Sequence, residues 1–66
     1  MKRYKVSYLL SRVNKWRYDR EYNISNAQEF AKEWFKRDNL VNTLAVRFID
    51  VETKKVVLEV YREEAK

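Results

Sequence analysis

The apolar residues of this chain change period twice. Tyr4, Val6, Tyr8 and Leu10 recur at every second position, and Trp16, Tyr18, Tyr22 and Ile24 follow the same period with Arg20 breaking the series. Ala27, Phe30, Ala31, Trp34 and Phe35 then fall at i, i+3, i+4, i+7 and i+8. From Leu44 the period returns to two, through Val46 and Phe48 and again through Val56, Leu58 and Val60. A period of two lines one face of a strand, and a period of 3.6 lines one stripe of a helix. A helical reading of the first segment uses Leu9, Val13 and Trp16, but the same stripe continues onto Arg20 and Asn23, which are polar. The order is therefore hairpin, helix, hairpin. It predicts an α+β fold of ββαββ order, a four-stranded sheet with one helix packed on one face. The 66 residues are read as a single small domain, 1–66.

The chain contains no glycine and no proline, so any turn that needs positive φ must use a residue with a Cβ, most readily Asn or Asp. Strands over 3–11 and 15–24 leave Ser11-Arg12-Val13-Asn14-Lys15 as the first turn, with Asn14 suited to the left-handed position. Ser25-Asn26-Ala27-Gln28 has the form of a capping box with Ser25 as cap. The helix is expected over about Asn26 to Asp38, with Asn39 after its end and Leu40 folding back on the last turn. Strands over 44–51 and 55–62 flank Asp50-Val51-Glu52-Thr53-Lys54-Lys55. That loop resembles the hairpin sequence D-x-x-T-G-K, with Lys54 where glycine would stand. The order of elements resembles that of β-grasp domains. This is a likeness of order alone and implies no function.

Parity places Tyr4, Val6, Tyr8, Leu10, Trp16, Tyr18, Val46, Phe48, Val56, Leu58 and Val60 against the helix and leaves the other sheet face open. Arg20 interrupts its core-facing series. Such a residue sits at the periphery of an edge strand or beside a bulge, and the edge position is the simpler expectation.

The absences narrow the chemistry. Without cysteine or histidine there is no disulfide, no thiolate nucleophile, no imidazole base and no Cys/His metal site. Without glycine there is neither a P-loop nor a dinucleotide-binding fingerprint. Asp50 with Glu52, and Glu63 with Glu64, are the close acidic pairs. Asp50 reads as a turn cap and Glu63-Glu64 as a solvated tail. The expectation is a non-enzymatic binding module with no cofactor, no metal and no small-molecule substrate. No apolar h-region of roughly 7–15 residues follows the charged start, and no apolar run approaches the roughly 20 residues that span a bilayer. A cytoplasmic protein with no membrane partner is expected.

Charge is uneven. Residues 1–24 hold seven basic and two acidic side chains, whereas residues 25–40 hold three of each and residues 41–66 five of each. The net +5 therefore belongs to the first hairpin. Arg3, Lys5, Lys15 and Arg17 are expected to point away from the core, with Arg12 at the turn. Such a ribbon suits an anionic partner, nucleic acid before an acidic protein surface. The plainer reading is that these charges keep an edge strand from pairing. Base stacking would need aromatic rings on the basic face, and parity puts nine of the ten aromatics on the other face, Tyr61 being the exception. The alternative function is protein–protein contact or self-assembly through Leu9, Ile49, Val57 and Tyr61 on the open face, or through a strand edge. A thin core with no disulfide makes a homodimer a natural expectation.

Overall fold

The computed structural model describes residues 2–38 and 42–62. The elements are β1 (Lys2–Leu10), β2 (Lys15–Ile24), α1 (Ala27–Arg37), β3 (Thr43–Asp50) and β4 (Val56–Tyr61). The α+β, ββαββ expectation holds. The strands form one sheet in the order β2-β1-β3-β4, antiparallel at every pairing. The likeness to a β-grasp ends at the order of elements, because β1 pairs antiparallel with β3 and the sheet is not mixed. β2 and β3 consequently run in the same direction on either side of β1, and α1 carries the chain across between them. Asn39, Leu40, Glu63 and Glu64, to which the sequence assigned a helix stop and a tail, lie outside the described residues.

Both hairpins turn by the same device. The Asn14 amide donates to the Leu10 carbonyl at 2.8 Å, and the Lys54 amide donates to the Asp50 carbonyl at 2.8 Å. Asn14 and Lys54 take φ of 53° and 60°, the two positions where left-handed backbone was expected. Asp50 Oδ1 also accepts from the Glu52 amide at 2.8 Å, which confirms its capping role. The helix starts one residue later than the capping box implied. Asn26 is the N-cap, and its Oδ1 accepts from the Glu29 amide at 3.1 Å. Asn is as good a cap as Ser, and starting there puts Glu29 at the third helical position, in the positively polarised first turn.

The core lies between α1 and one sheet face. Val6, Tyr8, Ile24, Ala31, Val46 and Phe48 are its buried centre. Ala31 is fully buried where the helix comes closest to the sheet. Tyr8 stacks on Trp34 with centroids 4.3 Å apart, and Phe30 meets Phe48 edge-on at 5.9 Å. Trp34 Nε1 donates to Thr43 Oγ1 at 3.2 Å, so the half-buried indole keeps a hydrogen-bond partner.

Three irregularities break the parity of the strands. β2 carries one extra residue, Asp19, between the pairs Val6–Arg20 and Ser7–Tyr18. β3 carries Leu44 between the pairs Leu9–Ala45 and Leu10–Thr43. β4 carries Val57 between the pairs Phe48–Leu58 and Ile49–Val56. An extra residue shifts everything beyond it to the other face. Trp16 and Tyr18, expected in the core, therefore pair with Leu9 and Ser7 on the open face. Val56, also expected in the core, pairs with Ile49 on the open face. Arg20 is both an edge-strand residue and a bulge neighbour, and its guanidinium lies 5.6 Å from the Tyr22 ring.

Candidate functional site

The Asp19 bulge decides what the open face presents. Asp19 itself turns toward the helix side, where Oδ2 accepts from the hydroxyls of Tyr8 at 3.0 Å and Tyr22 at 2.6 Å. Burial, and then the Asp19 hydrogen bond, push both phenols above their ordinary range. The bulge is thus pinned by a carboxylate that satisfies one buried and one half-buried tyrosine at once.

On the open face the sheet register sets Tyr18 across from Ser7, then Arg47, then Glu59. The next row runs Trp16, Leu9, Ala45, Tyr61. The Arg47 guanidinium lies 3.9 Å from the Trp16 ring centroid, and its Nε donates to Glu59 Oε2 at 2.8 Å. Glu59 Oε1 accepts from the Tyr61 hydroxyl at 3.0 Å. The Tyr61 hydrogen bond first, and the Arg47 contact second, hold the Glu59 carboxyl below its ordinary range. The same bond holds Tyr61 protonated to higher pH. Ala45 is fully buried in the middle of this row although it faces away from the helix. Trp16, Arg47, Glu59 and Tyr61 therefore form a small second cluster that rigidifies the open face.

The expected contact residues divide into three groups. Arg3 and Lys5 lie on the open face, where Arg3 Nε pairs with Glu21 Oε1 at 3.1 Å. Lys5 stands opposite Glu21 in the register. Arg12 is exposed in the turn. Lys15 and Arg17 lie opposite Leu10 and Tyr8, on the helix side of the edge strand, because the bulge reverses the face they were expected to share with Arg3 and Lys5. Both remain exposed. Among the described residues, Lys5, Arg12, Lys15 and Arg17 form no ion pair, nor do Lys32, Arg37, Lys54 and Lys55, whereas Lys2, Arg3, Arg20, Lys36, Arg47 and Arg62 do. Within the first hairpin the cations without an ion pair lie on β2 (Lys15, Arg17), on the neighbouring strand β1 (Lys5) and at the tip (Arg12).

The expected interface residues lie where parity put them, with one refinement. Leu9, Ile49 and Tyr61 are on the open face, and Val57 is the bulged residue of β4. Leu9 and Ile49 are half-buried, while Val57 is 49% and Tyr61 59% exposed.

The sequence reading missed Tyr18 as a surface residue. It is 54% exposed, and alone among the ten aromatics it has no hydrogen bond and no ring or cation contact among the described residues. The signal that could have found it was Arg20, the polar break that marks the bulge. Among the described residues no three carboxylates are grouped to hold a metal ion. Among the described residues no helix is long and apolar enough to cross a membrane. Comparison with protein-family models, with curated proteins and with solved structures finds no match to the chain.

Proposed function

We propose that the protein is a non-enzymatic nucleic-acid-binding module that engages phosphate through its first hairpin. The observation that carries this reading is the concentration of basic side chains in the first hairpin, where seven basic residues stand against two acidic ones. Of these, Arg12, Lys15 and Arg17 are exposed and Lys5 is half-buried, and none of the four forms an ion pair among the described residues. An unpaired cation contributes its full charge to counterion release, and a paired one has a competitor in place. Phosphate contacts of this kind position the ligand and carry no sequence information.

The test is an anisotropy titration of labelled DNA and RNA at about 50 and 200 mM salt, where four phosphate contacts give a log–log slope of about −3 to −4 on duplex DNA. The double variant Arg12→Glu/Arg17→Glu is expected to lose binding and flatten the slope while its circular dichroism stays unchanged. Wild-type protein that binds neither DNA nor RNA at the lower salt would sink the reading.

A second reading rests on the exposed apolar residues of β4. Val56, Val57 and Tyr61 are each about half exposed or more on an edge strand, and would serve a protein partner or a second copy. Light scattering over a range of concentrations separates the two. A dimer that dissociates on Val57→Glu favours the second.

A further inference from the structure

The geometry points to single-stranded nucleic acid as the ligand, with Tyr18 as the residue on which a base stacks. This rests on the phosphate-binding reading above and names its substrate class. Three observations meet at Tyr18. Its ring is more exposed than not and, among the described residues, makes no hydrogen bond and no ring or cation contact, whereas every other aromatic is held by a ring, a guanidinium or a hydrogen bond. It stands across from Ser7, a small residue buried in the sheet, so no neighbouring side chain of that row on β1 rises over the ring. It also sits on the edge strand beside two cations that form no ion pair. Lys5 is its diagonal neighbour on the open face, and Arg17 precedes it on the opposite face.

An exposed ring flanked by cations is the pairing that single strands require. Their bases are unstacked and offer π-faces, while their backbone follows a basic track. Stacked bases of a duplex offer a side chain only groove edges and phosphates. The face is also rigid beneath the ligand. Arg47 is fixed over Trp16 at 3.9 Å and tied to Glu59, so little side-chain ordering is left to oppose binding. Tyr61, on the far strand of the same face, is the second exposed ring. Three inter-strand spacings separate its strand from that of Tyr18, about 14 Å, which allows the two rings to hold separate bases of one strand.

The experiment compares a short labelled oligo-dT with a duplex of equal length. Tyr18→Ala and Tyr18→Thr both remove the ring, and threonine keeps a strand-compatible side chain. Each is expected to weaken oligo-dT binding by about 5- to 150-fold, the effect of one lost base stack. Duplex affinity and the salt slope should not change, and Tyr18→Phe should bind as wild type. Unaltered oligo-dT affinity in both Ala and Thr variants would overturn the inference, as would tighter wild-type binding to the duplex. In either case the loss of binding in Arg12→Glu/Arg17→Glu would still stand, so phosphate binding could survive without stacking. Wild-type protein that binds no nucleic acid removes both.

Discussion

Lys54 holds a backbone conformation that its side chain opposes. At φ 60° its Cβ crowds the following carbonyl, which costs roughly 1–2 kcal/mol for an ordinary L-residue. Glycine removes that clash but adds about 0.5–1 kcal/mol of unfolded-state entropy. Lys54→Gly is therefore expected to stabilise the protein by about 0.5–1 kcal/mol, read from urea midpoints at constant m-value. Asp50, at the other end of the same turn, bonds the Glu52 amide and pairs with Lys2 at 2.8 Å. The Lys2 contact first, and the backbone bond second, lower its pKa. A depressed carboxylate contributes stability that is complete above its unfolded value of about 3.9 and is lost as pH falls through the folded value. Wild type should therefore lose stability below about pH 4. Asp50→Asn should be less stable at pH 7 and show a shallower acid limb, which equilibrium denaturation across pH would reveal. An unchanged limb would show that Asp50 does not contribute.

Strands and helix were legible because alternation and the Ala27–Phe35 stripe are local signals, and local backbone preference and burial agree on them. Faces were not legible wherever one extra residue intervened. Asp19, Leu44 and Val57 each sit in a strand without interrupting its extension, so the sequence around them still reads as continuous strand. In β4 the run Val56-Val57-Leu58 is apolar at consecutive positions, and parity has no foothold there. In β2 the foothold existed, because a counted alternation put Arg20 in an apolar series. The basic excess of the first hairpin was legible, but which of its cations lack partners depends on register. The cluster Trp16–Arg47–Glu59–Tyr61 joins residues far apart in sequence and had no local signal. The element-scale test is the bulge itself. Asp19→Ala leaves the Tyr8 and Tyr22 hydroxyls without their shared acceptor. It should cost about 1–3 kcal/mol. The loss should be accompanied by earlier phenol ionisation in an ultraviolet titration, because the Asp19 bond helps hold both phenols protonated. A variant as stable as wild type would mean that the bulge is held by β1 pairing alone.

At the scale of the molecule, one helix must stay closed over a sheet whose core is only one layer deep. Arg62 is the clasp. Its Nη2 reaches Asp38 Oδ2 at 2.9 Å, and its Nε donates to the Thr43 carbonyl at 2.9 Å. Its guanidinium also covers the Phe35 ring at 4.8 Å. Asp38 in turn accepts from the Thr43 amide at 2.7 Å. One side chain at the end of β4 thus ties the C-terminus of α1 to the start of β3, and places a cation where the helix dipole is negative. Both partners are mostly buried, at 18% and 13% side-chain exposure, so removing one leaves a charge with reduced access to water. Arg62→Ala is expected to destabilise by about 2–3 kcal/mol, the range for charge-assisted hydrogen bonds. Arg62→Lys should recover only part of the loss, because an ammonium cannot match the guanidinium's fork of donors. Hydrogen exchange locates the effect. If Arg62 closes the helix on the sheet, the last turn of α1 loses protection in Arg62→Ala while the β1–β2 ladder keeps it. Uniform loss across the chain would make Arg62 a contributor to global stability and not a local clasp.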